Sequence, residues 1–178
     1  MDLSRDDILA LLDELVAELK AQGISGTIAI YGGSAVSFYH PTRGVTRDVD
    51  SFFQPYEAIA DVAARIAARH PGLGDTWLNM QIYDKMPPEP DDDPTVYYAD
   101  DALTIQFGSQ EYLLAMKAMT GRRSEQDKAD AALLFNELGL CSWLDIAEVV
   151  GRYYGSAKNA GSQELFWEDI ADVAGRLL

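Results

Sequence analysis

Two aspartates, Asp48 and Asp50, are separated by one residue, a spacing that would let their carboxylates bind one cation together. They fall in the run 48–53, whose residues predict a strand, and alternate residues of a strand share one face of a sheet. Two carboxylates on one face repel each other unless water or a cation lies between them. Because Mg²⁺ prefers a few carboxylate oxygens together with water and phosphate oxygens, the spacing predicts a metal-nucleotide site. An ordinary solvated strand face is the competing interpretation.

A second motif is the turn Gly32-Gly33-Ser34, which lies between a run of strand-forming residues, 27–31, and a short helical pattern that Pro41 ends. Glycine lets a backbone approach a ligand closely, and the N–H groups at the start of a helix attract anions. Such a turn alone is more often only a turn. Followed one short helix later by the paired carboxylates, it indicates phosphate binding.

Charged residues of the C-terminal third form a third group of candidates. Lys117 lies in an otherwise apolar helical pattern, where it needs an anionic partner or a path to water. Asp127 follows Ser124 by three residues, the spacing of a capping box, so helix capping is its favoured role. These patterns alone do not decide between a structural and a catalytic role for either residue.

Helices and strands alternate in the part of the chain that carries the first two motifs, and helices follow. Helices are predicted over 4–20, 34–39 and 56–70, strands over 27–31, 48–53 and 103–107, and an exposed loop over 84–94. Four further helices are predicted over 111–120, 124–138, 142–153 and 162–177, with Ser162 as the cap of the last. We therefore predict an α+β fold, with an α/β core over 1–108 and a helical subdomain over 109–178.

Composition excludes several classes of protein. Fourteen Lys and Arg against 29 Asp and Glu give a net charge of −15, which disfavours tight nonspecific DNA binding. A single cysteine, Cys141, cannot form an internal disulfide, and His40 and His70 lack metal-ligand spacing. No signal-peptide pattern or long apolar stretch is present, so we expect a cytoplasmic protein without membrane association.

The order of a strand, Gly-Gly-Ser at the head of a helix and Asp-x-Asp on the next strand resembles the signature of the nucleotidyltransferase superfamily with the DNA polymerase β-like fold. The chain is similar to its minimal branch, which includes the AbiEii-type toxins of toxin–antitoxin systems. Three further segments carry that similarity: EYLLAMKAMTGRRSEQDKADAALLFNELGL over 111–140, WLN over 77–79 and RYY over 152–154.

The resemblance implies a small mixed sheet flanked by helices, with the helical subdomain packed on the core. It also implies site roles: Gly32, Gly33, Ser34 and Lys117 bind the NTP, Asp48 and Asp50 hold Mg²⁺, and Asp48, Asp50, Lys117 and Asp127 form the catalytic set. The spacer before Asp127 is longer than this branch leads us to expect, so Asp130 is the alternative acid.

The implied reaction is transfer of NMP from an NTP to a hydroxyl of a tRNA, a protein or a small molecule, and an antitoxin protein is an implied partner. A non-catalytic nucleotide- or partner-binding protein of the same fold is the alternative. It is favoured because polymerase-like relatives carry a third carboxylate on a later strand, where the run 103–107 offers only Gln106. Arg43 and Arg47 flank the aspartates and would either offset triphosphate charge or pair with the carboxylates.

Overall fold

The computed structural model of the protein describes residues 1–155 and 161–177. The chain divides into two compact units, one of Met1–Asp84 with Pro94–Gly108 and the other of Lys85–Asp93 with Ser109–Leu178. Residues 85–93 fall within the predicted core of 1–108, whereas their contacts assign them to the second unit. There the N–H of Glu89 donates to the carbonyl of Tyr153 at 3.2 Å.

A mixed five-stranded sheet forms the centre of the first unit. Its strands are β1 (Gly26–Ile30), β2 (Val49–Gln54), β3 (Leu78–Asn79), β4 (Thr95–Ala99) and β5 (Leu103–Phe107), in the order β3-β2-β1-β5-β4. Strand β1 is antiparallel to β2 and parallel to β5, β3 is parallel to β2, and β4 is antiparallel to β5. A mixed sheet combined with helices fits the predicted α+β class.

Three α-helices belong to the same unit: α1 (Arg5–Ala21), α2 (Gly32–Tyr39) and α3 (Tyr56–Ala67). Helix α1 begins at a capping box in which Ser4 and Asp7 bind each other's backbone N–H groups. Its apolar residues recur at helical spacing and are buried: Ile8, Leu11, Leu12, Leu15 and Leu19. Helix α2 follows β1 directly, so the glycine turn connects a central strand to a helix.

Strands β3 and β4 were missed by the sequence analysis, for two different reasons. Strand β3 has only two residues, too few for any periodicity. Strand β4 lies at the sheet edge, and its pairing with β5 shifts register between Val96 and Tyr98. Because its residues are exposed or half-buried throughout, they lack the alternation that marks a half-buried strand.

Helices make up most of the second unit: α4 (Gln110–Ala118), α5 (Glu125–Glu137), α6 (Trp143–Tyr154) and α7 (Gly161–Leu177). Ser109, Ser124 and Ser142 precede the first three, as the capping pattern predicts. The side chain of Ser162 lies outside the described residues. Trp167 of α7 is fully buried, and its indole N–H donates to the carbonyl of Ala118 at 3.0 Å, which connects α7 to α4. Within residues 1–155 and 161–177, no helix has the length and apolar character needed to cross a membrane.

Candidate functional site

The turn between β1 and α2, residues 32–34, is called the glycine corner below. Gly32 has a φ of +62°, in the left-handed region that disfavours residues with a side chain. A Cβ atom placed on Gly32 would lie 2.5 Å from Oδ2 of Asp50. The N–H of Tyr31 donates to the carbonyl of Asp50 at 2.8 Å, which fixes Asp50 beside the start of α2. Backbone conformation and the nearby carboxylate both require glycine at position 32.

A guanidinium group approaches the same corner from another segment. A Cβ atom on Gly33 would lie 2.6 Å from an Nη2 atom of Arg43. Arg43 ends a short 3₁₀ turn, Pro41–Arg43, and its Nη1 donates to the carbonyl of Val45 at 3.2 Å. The corner therefore has a carboxylate against its first glycine and a guanidinium against its second.

Ser34 contributes its backbone to the corner rather than its hydroxyl. Its side chain is buried, and its Oγ donates to the carbonyl of Tyr31 at 2.9 Å. The N-cap residue, Tyr31, does not cap α2 with its side chain, and the N–H groups in the first turn of an α-helix have no acceptor within the helix itself. An anion at this helix start would bind the N–H groups of Gly33 and Ser34.

The two aspartates occupy different positions relative to β2. Val49, Ser51 and Phe53 are fully buried, whereas Asp50 between them is half-buried on the opposite face of the strand. Asp48 precedes the first residue of β2, so the alternation of a strand does not fix its direction. The predicted strand began one residue earlier, at Asp48.

The carboxylates near the glycine corner are few for a metal site formed by protein side chains alone. Among the residues that the structure describes, no group of three or more His, Cys, Asp or Glu side chains has the arrangement of a metal site. Mg²⁺ is commonly held by one or two carboxylates, with water and phosphate oxygens as the other ligands. The Asp50 carboxylate beside the glycine corner fits that smaller donor set, and Asp48 is the second carboxylate of the predicted pair; a nucleotide would supply the remaining ligands.

Lys117 lies in the second unit, between two buried carboxylates of α5. Its Nζ is 3.0 Å from Oδ1 of Asp127 and 2.8 Å from Oδ2 of Asp130. The lysine side chain is 11% exposed, and the aspartate side chains are 2% and 0% exposed. The anionic partner that the sequence pattern required is thus a pair of aspartates, which joins α4 to α5.

Asp127 accepts hydrogen bonds from three residues at once. Arg122 donates to both of its carboxylate oxygens at 2.9 Å, and the Ser124 hydroxyl donates at 2.6 Å. The Ser124 Oγ in turn accepts from the backbone N–H of Asp127, which completes the predicted capping box. Burial raises the pKa of the Asp127 carboxyl, but the Arg122 and Ser124 hydrogen bonds and the Lys117 charge outweigh burial and hold it well below 3.8.

The predicted site residues therefore form two clusters, each within its own unit. Gly32, Gly33 and Asp50 are adjacent in the first, and the Lys117 cluster of Lys117, Asp127 and Asp130 is the second. Arg122 has no role among the sequence-based predictions, because it precedes α5 and so lies outside any helical periodicity.

Asn79 of β3 is a further residue that sequence reasoning missed. Its Nδ2 is buried and has no hydrogen-bond partner. A two-residue strand has no recognisable pattern, so the only signal in the sequence was the WLN segment that supported the resemblance.

Comparison of the chain with protein-family models, with curated proteins and with solved structures found no match. The resemblance to nucleotidyltransferases therefore rests on the residues quoted for it.

Proposed function

We propose that the protein is a Mg²⁺-dependent nucleotidyltransferase whose glycine corner binds the phosphates of an NTP. Asp48 and Asp50 would hold the metal ion. One observation carries the proposal: the carboxylate of Asp50 lies against Gly32, at the first turn of α2. Since helix starts attract anions and carboxylates attract cations, a complex of Mg²⁺ with a triphosphate matches both halves of this arrangement.

In the proposed reaction the oxygen of an acceptor hydroxyl forms a bond to the α-phosphorus of the NTP. The bond from that phosphorus to the oxygen bridging to the β-phosphorus breaks, pyrophosphate leaves, and the hydroxyl proton passes to solvent. Bound Mg²⁺ would neutralise phosphate charge and so make the α-phosphorus more electrophilic. The chain needs to supply only position and charge.

Backbone N–H groups and one guanidinium of the glycine corner could bind the phosphates and stabilise the leaving pyrophosphate. The N–H groups of Gly33 and Ser34 would donate to phosphate oxygens, because both lie in the first turn of α2. The Arg43 guanidinium lies against Gly33, where its charge would stabilise the leaving pyrophosphate. The predicted contact of Lys117 with the triphosphate and the predicted catalytic role of Asp127 are untested. The contacts that both residues make within the second unit support a structural role.

The decisive experiment compares two variants that remove one carboxylate charge each. Asp50→Asn alters the corner, and Asp61→Asn is a matched control on the exposed face of α3. Each protein is incubated with each α-labelled NTP, Mg²⁺ and a cell extract, and labelled products and pyrophosphate are measured. We expect transfer by the wild type and by Asp61→Asn, and about 10²-fold less by Asp50→Asn, the equivalent of losing about 3 kcal/mol of transition-state stabilisation.

Circular dichroism and a melting curve establish that Asp50→Asn is folded. Undiminished transfer by a folded Asp50→Asn protein would refute the proposed role of this carboxylate. Absence of transfer by the wild type with every NTP would refute the proposed activity.

Nucleotide binding without turnover is the second candidate function. It is favoured because β5 carries only Gln106 where polymerase-like relatives have a third carboxylate. A raised melting temperature with Mg²⁺ and an NTP, but no release of pyrophosphate with any acceptor, would identify it.

The proposed acceptor is a hydroxyl of a protein or a small molecule rather than of tRNA. A net charge of −15 works against the many phosphate contacts that an RNA surface requires. We also propose a cytoplasmic location and, from the resemblance, an antitoxin protein as partner. Co-expression with the neighbouring gene, followed by co-purification and a growth assay, tests that last proposal.

A further inference from the structure

Asn79 of β3 contains a buried donor that has no acceptor. The residue is 8% exposed, and its Oδ1 accepts the backbone N–H of Gln81 at 2.9 Å. That contact assigns the amide orientation and leaves the two N–H groups of Nδ2 without a partner. Burying an unpaired amide donor is costly, so such a group in a native protein calls for an explanation.

The pairing of β2 with β3 places this donor next to the glycine corner. The two strands are parallel, and Asp50 is the register partner of Asn79. Register partners of neighbouring strands lie about 4.8 Å apart and direct their side chains to the same face of the sheet. The carboxylate of Asp50 is thus within reach of Nδ2 by rotation about its side-chain bonds.

Asp50 lies between two neighbours on this face. On the β1 side its Oδ2 is directed toward Gly32, and on the β3 side lies the unpaired amide of Asn79. A carboxylate that binds a metal through one oxygen is commonly held in place by a hydrogen bond to the other. Nδ2 can only donate, so it suits a carboxylate oxygen and not the metal itself.

We propose that Asn79 is a positioning residue, whose Nδ2 donates to the Asp50 carboxylate when Asp50 binds the cation of a metal–nucleotide complex. This inference rests on the proposed function, since it assumes that Asp50 is a metal ligand. Asn79 acts through Asp50 and does not touch the nucleotide.

The Kd for Mn²⁺ tests this role of Asn79 and does not depend on turnover. Wild type and variants are titrated with Mn²⁺ in the presence of a non-hydrolysable NTP analogue, and free Mn²⁺ is followed by electron paramagnetic resonance. Asn79→Leu keeps the branched shape of the side chain but has no donor, and we expect its Kd for Mn²⁺ to rise about 10- to 100-fold.

Ser51→Ala is the matched control for the packing of β3 against β2. The buried Ser51 hydroxyl donates to the backbone carbonyl of Asn79 at 2.9 Å, from the face opposite Asp50. Its loss weakens the same strand pair but leaves the amide donor in place, so we expect an unchanged Kd. An equal loss of affinity in both variants would mean that Asn79 serves only the pairing of the strands, and would overturn the inference.

Nuclear magnetic resonance on the unaltered protein covers the case in which Asn79→Leu does not fold. Addition of Mg²⁺ and the analogue should move an Asn79 side-chain amide proton downfield, and this shift should be absent in Asp50→Asn. Binding without that shift overturns the role of Asn79 and leaves the proposed function standing. If the wild type binds neither Mn²⁺ nor Mg²⁺ with the analogue, the inference and the proposed function both fail.

Discussion

The carboxylates of the glycine corner and of the Lys117 cluster differ in their surroundings. Asp127 is fully buried, and donors from Lys117, Arg122 and Ser124 surround both of its oxygens. Asp50 is half-buried and lies against the backbone of a glycine turn, next to the unpaired amide of Asn79. A fully buried carboxylate held by several protein donors stabilises the fold, whereas the half-buried carboxylate of Asp50 lies beside a glycine turn that a ligand can approach.

Local sequence creates that difference. Asp127 is the third residue of α5, whose N-cap is Ser124, so its cap partner is already in place before any tertiary contact forms. Asp50 lies within β2, so its position beside the glycine corner depends on the pairing of β2 with β1 and not on a local cap. If this difference holds, substitutions in the Lys117 cluster change mainly stability, and substitutions in the glycine corner change mainly ligand binding.

The largest effect on stability is expected for Lys117→Met. It leaves the buried carboxylates of Asp127 and Asp130 without their shared ammonium, and breaking a buried pair in this way costs about 3–5 kcal/mol. Lys128→Met is the control, because its partners Glu125 and Asp169 are largely exposed and such pairs contribute about 0–1 kcal/mol. Urea unfolding of both variants measures the two free energies, and equal losses would contradict the comparison.

An intermediate effect is expected for Gly32→Ala. Gly23 has a similar φ of +66° but no atom within 4 Å of an added Cβ, so Gly23→Ala measures only the conformational cost, about 1–2 kcal/mol. Gly32→Ala adds the collision with Asp50 Oδ2 at 2.5 Å. We expect a larger loss in the free energy of unfolding than for Gly23→Ala, together with loss of nucleotide binding.

Thermal melting measures the stability of both glycine variants, and a nucleotide titration measures their affinity. Binding of Mg²⁺ and nucleotide by Gly32→Ala as tight as that of Gly23→Ala would argue against the glycine corner as the phosphate site.

The smallest effect concerns acid stability. The pKa of Asp127 is depressed in the folded protein, so its contribution to stability is complete above its ordinary pKa of 3.8 and is lost as the pH falls below that value. Asp127→Asn removes this contribution. The difference in unfolding free energy between wild type and variant should therefore be constant from pH 7 to about pH 5 and shrink by pH 3. A difference that grows on acidification would contradict the assigned pKa direction.

Elements with strong local signals were predictable from sequence, and those defined by tertiary pairing were not. The caps at Ser4 and Ser124 were visible because a hydroxyl and an acid at fixed spacing satisfy local N–H groups. For Lys117 the sequence indicated that a partner was needed, but not that two aspartates would share it. Asn79 lies beside Asp50 because β3 pairs in parallel with β2. No local sequence pattern encodes this pairing, since the two residues are far apart in the chain.

The division of the chain has a consequence for synthesis on the ribosome. Residues 85–93 emerge before β4 and β5 but belong with helices that are translated after residue 108. The first unit therefore cannot complete its sheet until residues 85–93 have left the exit tunnel. These residues can pack against their own unit only after its helices have been translated. In a nascent chain released at residue 108, these nine residues would lack the helices that they pack against.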